Sequence, residues 1–138
     1  MSGLRRGQLA FVLGAAAVLW AVLLVVAAFT WPAYEGEQCG SSGCTVWRTT
    51  MFHENGWWVI ELLAGVALIA LLAFWALHVL CSKGSNRAAK LATGCVLALA
   101  AFAFVSGFSI GPFVFPVVVL LTASALLTPL PRNSGPPT

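Results

Sequence analysis

Apolar residues run along this chain in blocks, not in stripes. From about Leu9 to Phe29 no charge interrupts the run. A second block, from about Trp57 to Leu80, carries only Glu61 and His78 as ionisable groups. A third, Leu91 to Leu130, has 40 residues and no charge. A membrane-spanning helix needs roughly 20 mostly apolar residues. As one helix the third block would reach about 60 Å, twice the hydrocarbon thickness, so it must turn back. The turn is written as S-G-F-S-I-G-P, Ser106 to Pro112, where two glycines and a proline break the helix.

The pattern predicts an all-α membrane protein, a four-transmembrane-helix bundle with spans near residues 9–29, 57–80, 91–105 and 112–127. These form one domain over residues 1–130, and the proline-rich tail 131–138 is expected to be disordered and cytoplasmic. Pro116 falls in the first turns of the fourth span, where a missing N–H costs least or bends the helix mildly. Asn55 is expected to cap the second span, Gly84 to close it, and Ser85 or Asn86 to cap the third. Small residues thin the spans: Gly14 to Ala17, then Ala64, Gly65, Ala67 and Ala70, then Ala92, Gly94, Ala98, Ala101 and Ala103. They let helix backbones approach one another in lipid.

Composition agrees with this reading. The chain is 60% hydrophobic and 8% charged over 138 residues. Soluble domains carry about 25% charged residues, so there is too little charge here to cover a water-facing surface. The placement of charge says more than its net value. Arg5, Arg6, Lys83, Arg87, Lys90 and Arg132 fall on one side of the four-span scheme, and Arg48 alone falls on the other. By the positive-inside rule both termini and the middle loop are cytoplasmic, in a multi-pass protein of the cell inner membrane. The loop 30–56 then faces outward, and Glu35, Glu37, Glu54 and Glu61 lie in or beside it. The first apolar run is longer than a signal-peptide core and no A-x-A site follows, so it is expected to remain as an anchor.

The outer loop holds the chain's most distinctive stretch, E-G-E-Q-C-G-S-S-G-C-T-V-W, Glu35 to Trp47. Cys39 and Cys44 sit on the oxidising side, where disulfides persist. A disulfide closing the G-S-S-G turn is the leading reading, with the flanks pairing as a short β-hairpin. Two other readings compete with it. A thiol–disulfide oxidoreductase wants C-x-x-C spacing and a second outward cysteine pair, and both are missing. A metal site could gather Cys39, Cys44, His53 and Glu54, but oxidation would compete with thiolate binding. Cys81 and Cys95, on the reducing side, are expected to be free thiols. Trp31, Trp57 and Trp58 are placed as an interfacial belt. Trp47, in mid-loop, is expected to pack on the disulfide or dip into the headgroups.

Glu61 is the one acid within a span, which makes it a candidate functional residue. It shares a helix face with Glu54, Trp57 and Trp58 by spacing, and Arg48 is the only basic partner on that side. Three readings stay open: a partly solvated glutamate bonded to the loop, a proton- or cation-coupling acid, and a contact with another protein. No nucleophile–base–orienter set can be assembled. The residues imply no metal, no cofactor and no nucleic-acid face.

F-S-I-G-P-F-V-F-P, Phe108 to Pro116, and Glu54-Asn55-Gly56 at the start of span two resemble small bacterial four-span membrane proteins. Those proteins have a cysteine-bearing first outer loop and a G-x-F-x-x-P turn before span four. The resemblance implies a fold and a membrane, not an activity. The layout is also similar to that of claudins, without their W-G-L-W-C-C pattern. The expectation is a non-enzymatic envelope protein, a structural or interaction subunit whose partners are the lipid bilayer and either a second copy or another membrane protein. A small coupled transporter using Glu61 is the alternative, and the oxidoreductase comes third.

Overall fold

A computed structural model describes residues 2–107 and 110–128. The expected disordered tail lies outside the described residues, as do Phe108 and Ser109 in the predicted turn. The elements in order are α1 (Ser2–Thr30), β1 (Pro32–Gly40), β2 (Gly43–Thr50), α2 (Met51–Asn55), α3 (Trp57–Lys83), α4 (Asn86–Val105) and α5 (Gly111–Leu127). The chain is mostly helical, with a two-stranded hairpin between the first two long helices.

Three helices, α1, α3 and α4, are long and apolar enough to cross a membrane. At helical rise α1 and α3 reach about 40 Å and α4 about 30 Å, against a hydrocarbon core of about 30 Å. α5 is as apolar, but its 17 residues reach only about 25 Å. Pro112 stands in its first turn, and Pro116 lies inside it. A proline removes the N–H that a preceding carbonyl would use and pushes that carbonyl aside. Nearby, the Trp20 indole N–H of α1 donates to the Phe113 carbonyl at 3.1 Å, so a neighbouring helix supplies a donor beside the proline.

The long helices pack as a ring in which α1 touches α3 and α5, and α4 touches the same two. Neighbours run antiparallel. Phe11 stacks near Phe74 and His78 at one end of α1, and Phe29 meets Trp57 at the other. The centre is built of small and branched residues: Ala17, Ala70, Val114, Val117 and Leu121 are fully buried, and Leu99 nearly so. Large apolar residues point outward, with Phe104 88% and Leu126 81% exposed. Lipid exerts no hydrophobic force between helices, so alanine inside and leucine or phenylalanine outside is the arrangement expected in a bilayer. A soluble monomer rarely exposes apolar patches beyond a few hundred Å².

The small-residue expectation holds at some positions only. A Cβ on Gly14 would meet the Phe74 ring at 2.5 Å and Ser124 Oγ at 3.3 Å, so this glycine lets α3 and α5 close on α1. Ala17, Ala70, Ala92 and Ala103 are buried at helix contacts. At Gly65 and Gly94 a Cβ would meet nothing within 4 Å, and Ala98 and Ala101 are exposed. Period and composition do not say which side of an all-apolar helix faces a neighbour.

Ser124 ties the ring across its ends. It is 2% exposed, and its hydroxyl donates to the Ala10 carbonyl at 2.7 Å. Interhelical bonds of this kind average about 0.6 kcal/mol and reach about 1.7. Ser124→Ala is expected to destabilise the protein within that range in detergent melts. Thr122→Ala, which removes only an exposed bond to Val118 within the same helix, should leave the midpoint unchanged. Equal midpoints for the two variants would sink the tie.

The helix ends revise one expectation. Asn55 does not cap α3. It ends α2, and its side-chain amide donates to Met51 O and Tyr34 Oη, both at 3.1 Å. α3 starts after Gly56, whose φ of 75° and ψ of −162° belong to a region open to glycine. That reversal separates Asn55 from the helix it was expected to cap. Thr50 instead caps α2, accepting from the His53 N–H at 3.3 Å. Gly84 closes α3 in the left-handed conformation as expected, its N–H donating to Leu80 O at 2.9 Å. Ser85 takes the N-cap position of α4 without a side-chain bond.

Candidate functional site

Among the described residues the hairpin is the element that leaves the helical body. Cys39 and Cys44 are cross-strand partners and form the expected disulfide, their Cα atoms 3.9 Å apart. Ser41 and Ser42 make the turn with negative φ, and the positive φ of 123° falls on Gly43. Side chains alternate between two faces. Glu35 stands opposite Arg48 on the disulfide face, and Gly36 opposite Trp47 on the other. Trp47 therefore does not pack on the disulfide. Its indole lies across Gly36, where a Cβ would meet the ring at 2.5 Å. Alternation decides this, because Trp47 is three residues from Cys44.

Arg48 is committed within the hairpin. Its guanidinium meets Glu35 Oε1 at 2.8 Å, with both side chains more than half exposed. An exposed pair of this kind contributes about 0–1 kcal/mol. Hence Arg48, Glu54 and Glu61 are not drawn together. Glu54 is exposed on α2 and Glu61 exposed in the first turns of α3, and neither has an ion-pair partner among the described residues. The cavity beneath the hairpin, about 450 Å³, is lined by none of the three. Its walls include Leu24, Ala28, Tyr34, Met51 and Phe113. The walls of this cavity are apolar, and the three candidate residues stand outside it.

The hairpin is seated through its base. Tyr34 accepts the Asn55 amide, and Phe52 of α2 packs 5.0 Å from both Phe29 and Trp57. An aromatic cluster thus joins α1, α2 and α3 below the strands. Trp31, Trp57 and Trp58 are exposed at this same end, at 69%, 67% and 53%. Above the base every residue from Glu37 to Arg48 is exposed. The Thr49 hydroxyl is the buried side-chain polar atom left without a partner among the described residues.

The sulfur chemistry is closed. Glu37 lies close enough to Cys39 and Cys44 to form a three-ligand group, but both sulfurs are bonded to each other and offer no thiolate. Cys81 is an exposed free thiol and Cys95 a half-buried one.

Trp20, Ser124, Tyr34 and Gly36 went unnoticed as structural contributors in the sequence. A signal existed for one of them. Placing Cys39 opposite Cys44 and counting outward puts Gly36 opposite Trp47, and Glu35 opposite Arg48. The class defined is an apolar helical protein with membrane-length helices and a disulfide-closed hairpin. Comparison with protein-family models, with curated proteins and with solved structures finds no match.

Proposed function

We propose that the chain is a non-enzymatic, four-span envelope membrane protein whose task is to present the stapled hairpin to a membrane-protein partner. The carrying observation is that the hairpin stands clear of the helices while exposing apolar surface on both faces. Val46 is 60% exposed on one face and Trp47 44% on the other. α5 serves as the fourth span in this reading, its short length met by local thinning of the bilayer. The orientation has both termini and the α3–α4 turn in the cytoplasm, since Arg5, Arg6, Lys83, Arg87 and Lys90 gather at the end away from the hairpin.

No observation favours coupled transport. Glu61 is exposed, and the buried hydroxyls of Ser124 and Thr128 are bonded to backbone carbonyls. The test is photo-crosslinking in native membranes. A crosslinker at Val46 is expected to yield one protein adduct of defined mass, and one at Leu126 on the lipid-facing side none. The absence of any adduct at Val46 and Trp47 would overturn the proposal.

A further inference from the structure

One side of α3 turns away from the rest of the molecule. Val59, Leu63, Val66, Ala70 and Ala73 are buried on the opposite side, against the other helices. Trp58, Glu61, Leu68, Leu72 and Trp75 are exposed. Gly65 stands among them, and a Cβ there would meet nothing within 4 Å. In order, these six positions are spaced alternately by three and four residues, the seam along which a second helix packs. Lipid covers the leucines of such a seam equally well, so spacing alone names no partner. Glu61 does. Among the described residues it is the one acid in a membrane-length helix. An ionisable group in a span normally faces the protein interior or a water-filled cavity and pairs there. Glu61 instead faces outward, and it has no ion-pair partner among the described residues.

We propose that this side of α3 docks a transmembrane helix of another membrane protein, one that carries a lysine or arginine just inside its outer end to pair with Glu61. The inference rests on the reading of this chain as an envelope protein with a membrane-protein partner, and adds where the partner lies and what chemistry it brings. An unpaired carboxylate selects a cation. Glu61 lies one turn after Trp57, about 6 Å along the helix. A long basic side chain reaches that depth from the interface while its stem stays against apolar surface. A second copy of this chain does not supply the cation. Arg48 is the basic residue at this end, and it is bound to Glu35. Arg5, Arg6, Lys83, Arg87 and Lys90 are at the other end. Two copies meeting symmetrically along the seam would set Glu61 against Glu61, like charge against like. α5, across the ring from α3, carries no ionisable group that would select a partner.

A photo-crosslinker at Leu68 in native membranes tests this, with the adduct digested and its peptides sequenced. The partner peptide is expected to come from a transmembrane segment of another protein, with a lysine or arginine within two turns of its outer end. Glu61→Gln should lower the adduct yield about tenfold, as for loss of a hydrogen bond to a charged group. Glu54→Gln removes an exposed acid of α2 outside the seam and should leave the yield unchanged. Both acids are exposed, so both variants should melt with wild type in detergent. Reversing the partner's basic residue to glutamate together with Glu61→Lys should restore the yield. No adduct at Leu68, a peptide from this chain itself, a partner segment without that basic residue, or a yield indifferent to Glu61→Gln would each overturn the proposal. An adduct at Val46 with none at Leu68 sinks this inference alone. An adduct at Leu68 with none at Val46 or Trp47 sinks the hairpin reading alone.

Discussion

Gly111→Ala is expected to destabilise the protein by about 3 kcal/mol, the upper part of the usual range for overpacking. A Cβ at this position would overlap the Ala103 carbonyl oxygen and lie 2.8 Å from the Ser106 carbonyl carbon and oxygen. These are backbone atoms of the end of α4 and the turn after it, and no rotamer change moves them away. The same glycine donates its N–H to Ser106 O at 2.9 Å, so the clash falls where the two helices are pinned together. Relief requires α4 and α5 to part, which opens the packing around Ala103 and Val114. Gly94→Ala is the matched control. Its Cβ would point into open space, and helix propensity predicts a gain of about 0.5–1 kcal/mol. Thermal unfolding in a mild detergent should therefore move in opposite directions for the two variants. A Gly111→Ala midpoint at or above wild type would show that the close approach is not needed.

Replacing both Cys39 and Cys44 with serine is expected to loosen the hairpin while leaving the helices as stable as before. The ring closed by this disulfide is small, and loop entropy assigns it about 2 kcal/mol. A two-stranded hairpin alone in water is marginal at best. This one has an exposed ion pair, the Trp47–Gly36 contact and a seated base, but no core above Tyr34 and Asn55. Losing about 2 kcal/mol multiplies the open fraction about 30-fold. Tryptic cleavage after Arg48 tracks that fraction when opening is fast relative to cutting, and should accelerate by about the same factor. Helix unfolding should not shift, because the strands meet the helices only at the base. Equal cleavage rates in the serine variant and wild type would mean that the strands hold themselves together without the staple.

Much of the architecture was legible because lipid imposes a simple code. Apolar runs gave the cores of the long helices, though α1 begins at Ser2 and α4 at Asn86, five to seven residues before their runs, and the Ser106–Pro112 stretch marked where α4 gives way to α5. Gly84 was legible because a helix end requires a left-handed residue and glycine supplies it. The disulfide was legible from spacing and from the compartment inferred from charge. The role of Asn55 was not legible because local order alone suggests a cap, whereas the reversal at Gly56 sets its amide toward Tyr34. Arg48 as a partner for Glu61 was not legible for a related reason. Glu35 sits directly across the ladder from Arg48, and a partner at cross-strand distance outcompetes one reached over a loop.

By itself the sequence determined that the chain is built of apolar, membrane-length helices, and it pointed to the pairing of Cys39 with Cys44. Those features depend on hydrophobic run length, on turn chemistry and on proximity along the chain, all of which are local. Only the tertiary structure decided that a Cβ would clash at Gly14 and Gly111 and meet nothing at Gly65 and Gly94. It alone decided that Ser124 reaches Ala10 and that Trp20 serves Phe113 beside a proline. In an all-apolar helix no polar stripe announces which side faces a neighbour. The choice is made by shape, when specific small residues meet specific large ones across helices far apart in sequence.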